Sequence, residues 1–351
     1  MRKFHLLMIA FGVCLFAFLI YAIGPTSLWR KLAILGWGLV PLTLLDGVTE
    51  LFHAQGWRHC LSGSHRSLPF ARVFSIRLAG SSINHLTPTA GFGGEVTKGF
   101  LLASDRMGAQ AAAAVIVDKL SQALAQILFV VGGACAVLWK ISLPRTLWVA
   151  LVTGTLLLLI GVIGFFIVQK YGKLGAVVRW AVAHHLGGAG LKKAALHMTQ
   201  VDHTLQLFYR DRPADLPLSI VWHIMALAWS IVPAYCFLIF LTGRASLPVA
   251  AAIICLGTWF NLVTFALPVD IGVQETARVI IFSVLGFNSA LGLTYGVTLR
   301  FQQLFWAGVG LAVYGVLVVR MKGRKVLPAK GGTSDDCGKG PENREAAWKR
   351  V

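Results

Sequence analysis

Long stretches without a single Asp, Glu, Lys or Arg decide what this chain can fold into. Eight are near or above bilayer-crossing length: Phe4–Ile23, Leu32–Leu45, Leu78–Gly94, Leu120–Trp139, Thr146–Val168, Leu216–Gly243, Ala245–Val269 and Val279–Val319, the last interrupted only by Arg300. About 20 apolar residues cross a ~30 Å hydrocarbon core. In lipid every backbone polar group must be paired within the protein, so these stretches have to be helices. Charged residues make up 13% of the 351, against about 25% in a soluble domain. The fold class that follows is all-α: a polytopic membrane helix bundle over residues 1–326, with Leu327–Val351 as a disordered cytoplasmic tail rich in Gly, Lys, Asp and Glu. Phe4–Ile23 follows Arg2 and Lys3 and can be read as a signal peptide. Its apolar run exceeds the usual ~7–15 residues of such a peptide, which favours a retained first helix.

Basic residues set the orientation. His53–Arg77 carries Arg58, Arg66, Arg72 and Arg77 without an acid. Gln169–Asp215 carries seven bases against three Asp, and Arg320, Lys322, Arg324 and Lys325 follow the last stretch. The positive-inside rule places these segments, and both termini, in the cytoplasm, as expected of an inner-membrane protein. Residues 169–215 then form a polar cytoplasmic connection of helical pattern. The net charge of +18 reads as topogenic charge beside anionic lipid, with no nucleic-acid partner implied.

This orientation forces two segments to enter and leave on one face. Residues 73–104 contain Asn84, Pro88, Gly91, Gly93, Gly94 and Glu95; Pro88 ends one helix and the glycines delay the next. Residues 245–287 contain Asn261, Pro268, Gly272 and Glu275 in similar order. In each case seven residues separate Pro from Glu, and a base follows: Lys119 at 24 residues, Arg300 at 25. Two re-entrant broken-helix hairpins of opposite orientation, an inverted repeat, are expected. Such repeats mark transporters.

Acids are few, 14 in all, and seven lie in the membrane body: Asp46, Glu50, Glu95, Asp105, Asp118, Asp270 and Glu275. An ionisable group at that depth is costly unless paired, and it suggests function. Glu95 and Glu275 each open a half-helix. They serve as caps for the helix dipole, or they help form a mid-membrane polar site in which exposed N–H groups with Lys119 and Arg300 hold an anionic headgroup. Lys119 has a local salt bridge to Asp118 as its alternative, and Arg300 has snorkelling to an interface. Asp46 and Glu50 share a helix face and call for a basic partner or a water-filled cavity. The six cysteines form no CxxC pair, and the ten histidines form no metal motif and are expected at the surface, with His85 beside the first break. No P-loop, GxSxG or dinucleotide fingerprint occurs, so no cofactor is implied.

At these residues the chain resembles the lysylphosphatidylglycerol synthase transmembrane-region family. The family's first pattern, Asn, Pro, Gly-Gly-Glu and a base, stands as Asn84, Pro88, Gly93, Gly94, Glu95 and Lys98; its second stands as Pro268, Gly272, Glu275 and Arg300. The resemblance covers roughly residues 5–320. It departs around Pro268, where the family pattern carries more Gly and Pro. No segment long enough for an aminoacyltransferase domain follows the last stretch, so a stand-alone member is expected and lysyl transfer is not. The resemblance implies a flippase or lipid-transport protein rather than an enzyme. Its substrate-binding residues would be Asn84, Pro88, Gly93, Gly94, Glu95, Lys119, Pro268, Gly272, Glu275 and Arg300, and its partner a lipid with an anionic or polar headgroup. Enzymes of lipid biosynthesis are possible further partners. A membrane-embedded lipid-modifying transferase and an accessory scaffold of a lipid-synthesis complex remain the alternatives.

The orientation is testable by cysteine labelling on a Cys-free background. Gly63→Cys and Gly188→Cys should be protected from an impermeant external reagent in intact cells, and Ser142→Cys should react. External labelling of Gly63→Cys overturns the scheme.

Overall fold

A computed structural model describes residues 21, 25–86, 92–103, 108–140, 145–171, 173–184, 189–264 and 272–326. The expected first helix, Pro88, Pro268, Asp105, Asp270 and the C-terminal tail lie outside the described residues. Those described form helices and no strand. In chain order they are α1 (Pro25–Leu35), α2 (Leu39–Cys60), α3 (Phe70–Leu86), α4 (Phe92–Leu102), α5 (Gly108–Lys140), α6 (Arg145–Lys170), α7 (Leu174–Ala183), α8 (Ala189–Asp211), α9 (Asp215–Trp229), α10 (Ile231–Thr242), α11 (Leu247–Thr264), α12 (Val273–Val284) and α13 (Ser289–Val326).

Six stretches among these are long and apolar enough to cross a membrane: Trp29–Cys60, Gly108–Gly133, Trp148–Lys170, Asp215–Thr242, Leu247–Thr264 and Ser289–Met321. The chain is a multi-pass membrane protein. The uncharged stretch Leu78–Gly94 yields no single span, because the helix ends at Leu86 and a new one begins at Phe92. With 11 residues, α4 is roughly 16 Å long, about half the hydrocarbon thickness. Likewise α12, of 12 residues, begins after Gly272, whose φ of +81° no helix can run through.

The remaining boundaries have local causes. Pro233 cannot donate to the carbonyl four residues back and its ring crowds it, so α9 stops at Trp229 and α10 restarts at Ile231. Asn288 accepts the Ala290 N–H at 2.8 Å and so caps α13. Leu157, 71% exposed, and Ile160 and Ile167 point outward from α6, as they should on a helix that faces lipid chains.

Packing is close where side chains are small. Lipid tails are as apolar as Leu, so helices in a membrane associate through fitted surfaces rather than through expulsion of water. Gly310 on α13 lies against α3: a Cβ there would collide with the Ser82 hydroxyl and the Leu78 carbonyl. Gly47 on α2 lies under the Trp306 ring of α13. Two indoles also grip α2: Trp306 Nε1 donates to the Thr43 carbonyl at 3.0 Å, and Trp229 Nε1 donates to the Leu45 carbonyl at 2.9 Å. The bundle is thus built with α2 between α9 and α13, α3 along α13, and α5 against α9 and α11.

Gly310→Val should force α3 and α13 apart and cost about 1–3 kcal/mol, the usual range for overpacking. Gly308→Ala, two residues away with open space before it, should leave thermal stability of the purified protein unchanged. Equal melting temperatures for the two variants would contradict the packing described.

Candidate functional site

Two polar assemblies lie inside the bundle, one at each helix break. The first centres on Asp118, which is 0% exposed on α5. Its Oδ2 accepts from Lys98 Nζ at 2.8 Å and Gln122 Nε2 at 2.9 Å, with Arg77 Nη1 at 3.7 Å; its Oδ1 lies 3.2 Å from His223 Nε2. Lys98 on α4 also contacts Glu95 Oε2 at 2.6 Å and sits over the Trp57 ring, 5.1 Å from its centre. Glu95 reaches Lys119 at 3.1 Å, and Arg77 Nε donates to Glu50 Oε2 at 3.2 Å. Three acids (Glu50, Glu95, Asp118) and three bases (Arg77, Lys98, Lys119) are therefore joined with no charge left over. All but the 46% exposed Lys119 are at least three-quarters covered.

Two histidines extend this network. His53 Nδ1 and His223 Nδ1 are 2.7 Å apart. A carboxylate only accepts, so His223 carries a hydrogen on Nε2 towards Asp118; with both rings neutral, its Nδ1 then accepts from the His53 Nδ1–H. Beyond them Ser219 donates to Ser121 at 2.9 Å, and Cys60 lies 3.3 Å from Ser219.

At the start of α4, the Gly94 N–H donates to Asn84 Oδ1 at 2.6 Å, which ties α3 to α4 across the break. Gly94 also approaches the Gly80 carbonyl so closely that no Cβ would fit. Gly93 begins the same turn; its carbonyl accepts from Thr97 Oγ1 at 2.9 Å. Asn84, Gly93 and Gly94 thus bring the break together, while Glu95 and Lys119 belong to the ion network.

The second assembly opens α12. Gly272 has φ of +81°, a conformation that suits a residue without Cβ, and its N–H donates to Glu275 Oε2 at 2.7 Å. The carboxylate's other oxygen receives Arg300 Nε and Nη2, both at 3.0 Å. Glu275 is therefore both a cap and an ion-pair partner, and Arg300, 27% exposed, is held rather than left to snorkel. His85, in the last turn of α3, lies within electrostatic reach of both Arg300 and Glu50.

Beside this pair lies a cavity of about 190 Å³. Polar groups on its wall include Asp46, Thr258, Asn261, Arg278, Tyr295 and Gln302. Arg278, one turn beyond Glu275, is buried, and its Nη1 has no hydrogen-bond partner among the described residues. Its guanidinium lies against Gly257, where a Cβ would come within 3.3 Å of Nη1.

The structure joins Glu95 to Lys119 and Glu275 to Arg300 as ion pairs, where the sequence offered Asp118 as the local partner of Lys119 and an interface for Arg300. Sequence reasoning missed Arg77, Arg278, His53 and His223. The expectation of surface histidines is corrected for His65 and His223, which are buried; His223 is drawn inward by Asp118, and His65 is bonded through Nε2 to the Leu102 carbonyl at 3.0 Å. His53 and His223 lie 170 residues apart, so no spacing could have joined them. Arg278 was legible: it stands three residues after Glu275 on an otherwise apolar helix.

A family model described as the lysylphosphatidylglycerol synthase TM region matches residues 6–311 of this chain. No curated protein and no solved structure matches it.

Removing one partner from the closed network should be more harmful than removing a whole pair. Lys98→Met leaves Asp118 short of its nearest base and should destabilise the protein by about 3–5 kcal/mol. Lys98→Met combined with Asp118→Leu should regain part of that loss. Thermal unfolding of the single and double variants measures the coupling; additive losses would show that the pair is not joined.

Proposed function

We propose that this chain, which belongs to the lysylphosphatidylglycerol synthase transmembrane-region family, moves a lipid with a polar headgroup across or within the inner membrane. Membership makes it a membrane protein linked to lipid handling. The step to translocation is supported chiefly by one observation: at the start of α12, between two apolar helices, a buried Glu275 is paired with a part-exposed Arg300. Broken helices expose N–H groups at membrane depth, and transporters use such ends to receive the charged part of a substrate.

In this reading the segments 73–104 and 245–287 are re-entrant hairpins related by an inverted repeat. The described residues support the pairing of offsets: a carboxylate in the first turn of each short helix, and a base 24 or 25 residues later that binds it. The lipid headgroup enters between the breaks while its acyl chains stay in the bilayer. Arg300 presents a planar, permanently charged fork, and an anionic headgroup competes with Glu275 for it. The Asp118 assembly holds the opposite half together, since every charge in it already has a partner. The protein itself performs no covalent step. Both termini face the cytoplasm.

The test is translocation of fluorescent lipids in vesicles containing the purified protein, with folded yield measured on the same preparations. Wild type should move lipid. Arg300→Gln should abolish movement and Glu275→Gln should reduce it at least tenfold, with insertion and folding retained. Normal movement by both folded variants removes this site. Appearance of a chemically modified lipid without movement would assign the chain to the transferases instead.

A further inference from the structure

The two breaks carry the same sequence of charges up to a point. Glu95 is followed by a base three residues on, Lys98, and Glu275 by Arg278 at the same distance. Each Glu binds a second base 24 or 25 residues on, Lys119 or Arg300. The residue just before Lys119 is Asp118, which neutralises Lys98 at 2.8 Å. The residue just before Arg300 is Leu299. At the position where the first half supplies an acid, the second half supplies a leucine, and Leu299 lines the cavity into which Arg278 is set.

Arg278 is thus a buried cation deprived of its internal partner. Glu275 makes no hydrogen bond or ion pair to it; its oxygens are turned to the Gly272 N–H and to Arg300. The same cavity wall holds Asp46 of α2, to which no base is paired among the described residues. No ion pair joins Asp46 to Arg278; Tyr295 stands within electrostatic reach of both. Asn261 and Gln302 add amide groups that can donate or accept. An unpaired guanidinium and an unpaired carboxyl group lining one small cavity at membrane depth are expensive to keep without something between them.

We propose that this cavity binds a compact zwitterion, with its anionic group on Arg278 in the place Asp118 occupies in the other half, and its ammonium on Asp46. The proposal deepens the lipid-transport reading and rests on it for the source of the zwitterion, a lipid headgroup. A cavity of about 190 Å³ is below the range of roughly 300–1,000 Å³ that takes a drug-sized ligand. It suits a headgroup whose acyl chains remain outside.

The full-length protein in detergent is titrated with phosphatidylethanolamine, with its N-acetylated form that lacks the ammonium, with a lipid bearing only a quaternary ammonium, and with water-soluble glycerophosphoethanolamine. Kd is read by native mass spectrometry. Phosphatidylethanolamine should bind at least tenfold more tightly than the N-acetylated and the purely cationic lipids. Asp46→Asn should erase the preference over the N-acetylated lipid, and Arg278→Gln the preference over the cationic one. Arg278→Lys should keep part of that preference, which separates loss of charge from loss of fold.

Equal affinity of the wild-type protein for all three lipids overturns the site. So does unchanged selectivity in folded Asp46→Asn and Arg278→Gln. Glycerophosphoethanolamine binding as tightly as the lipid upholds the zwitterion site and overturns its lipid source. Vesicles that move lipid without headgroup preference remove this site and leave transport standing. Selective binding by a protein that moves nothing keeps the site and removes transport.

Discussion

The contact between Lys98 and Asp118, 2.8 Å long and closed to solvent, is the interaction on which the bundle's first half depends. Inside a membrane a charge has no water to turn to, so the position of one ion dictates where the others must be. Asp118 on α5 draws Lys98 from α4, Arg77 from α3 and His223 from α9, and through His223 it reaches His53 on α2. Five helices are thereby oriented around one carboxylate. The apolar surfaces around Trp57, Val117 and Leu205 fill the space between them, but apolar surface alone fixes neither depth nor rotation in a medium equally apolar.

The second assembly has similar offsets, a base 25 residues after its glutamate against 24 in the first, and ends differently. Its carboxylate, Glu275, is bound more rigidly than Glu95, since it caps its own helix and receives two donors from one guanidinium. Around it the balance of charge is left open. Leu299 stands before Arg300 where Asp118 stands before Lys119, Arg278 lines a cavity, and Asp46 lines it too without a base. One half resembles a finished core, and the other half a core with a piece taken out.

Much of this was legible before any coordinates. Uncharged runs of bilayer length give the class of secondary structure, because backbone hydrogen bonding in lipid admits no other solution. The glycines before α4 and α12 and the bases 24 and 25 residues after Glu95 and Glu275 were visible as a pattern, but that each base binds its own glutamate was not. Asp118 was visible as an acid in a helix, but its partners were not. Lys98, Arg77 and His223 come from three separate helices, and which face of a helix meets which neighbour is a property of packing that no local pattern records. Histidine was misjudged for the same reason: composition places it at surfaces, whereas a buried carboxylate such as Asp118 gives His223 a reason to be inside. Leu32–Leu45 and Leu216–Gly243 also read as simple uncharged runs. The structure divides the regions that contain them, at Gly36–Gly38 and at Ser230, where a 3-10 turn and Pro233 interrupt the ladder.

The two indole hydrogen bonds on α2 limit how such a bundle can change shape. Trp229 and Trp306 hold carbonyls two residues apart, from helices on either side, and Gly47 lets the Trp306 ring lie flat against the backbone. A helix pinned in this way can neither slide by a residue nor roll about its axis without releasing both rings. Asp46 sits next to the pinned carbonyl of Leu45. Any motion that alters the access of this carboxylate while keeping these bonds must therefore carry α2, α9 and α13 together.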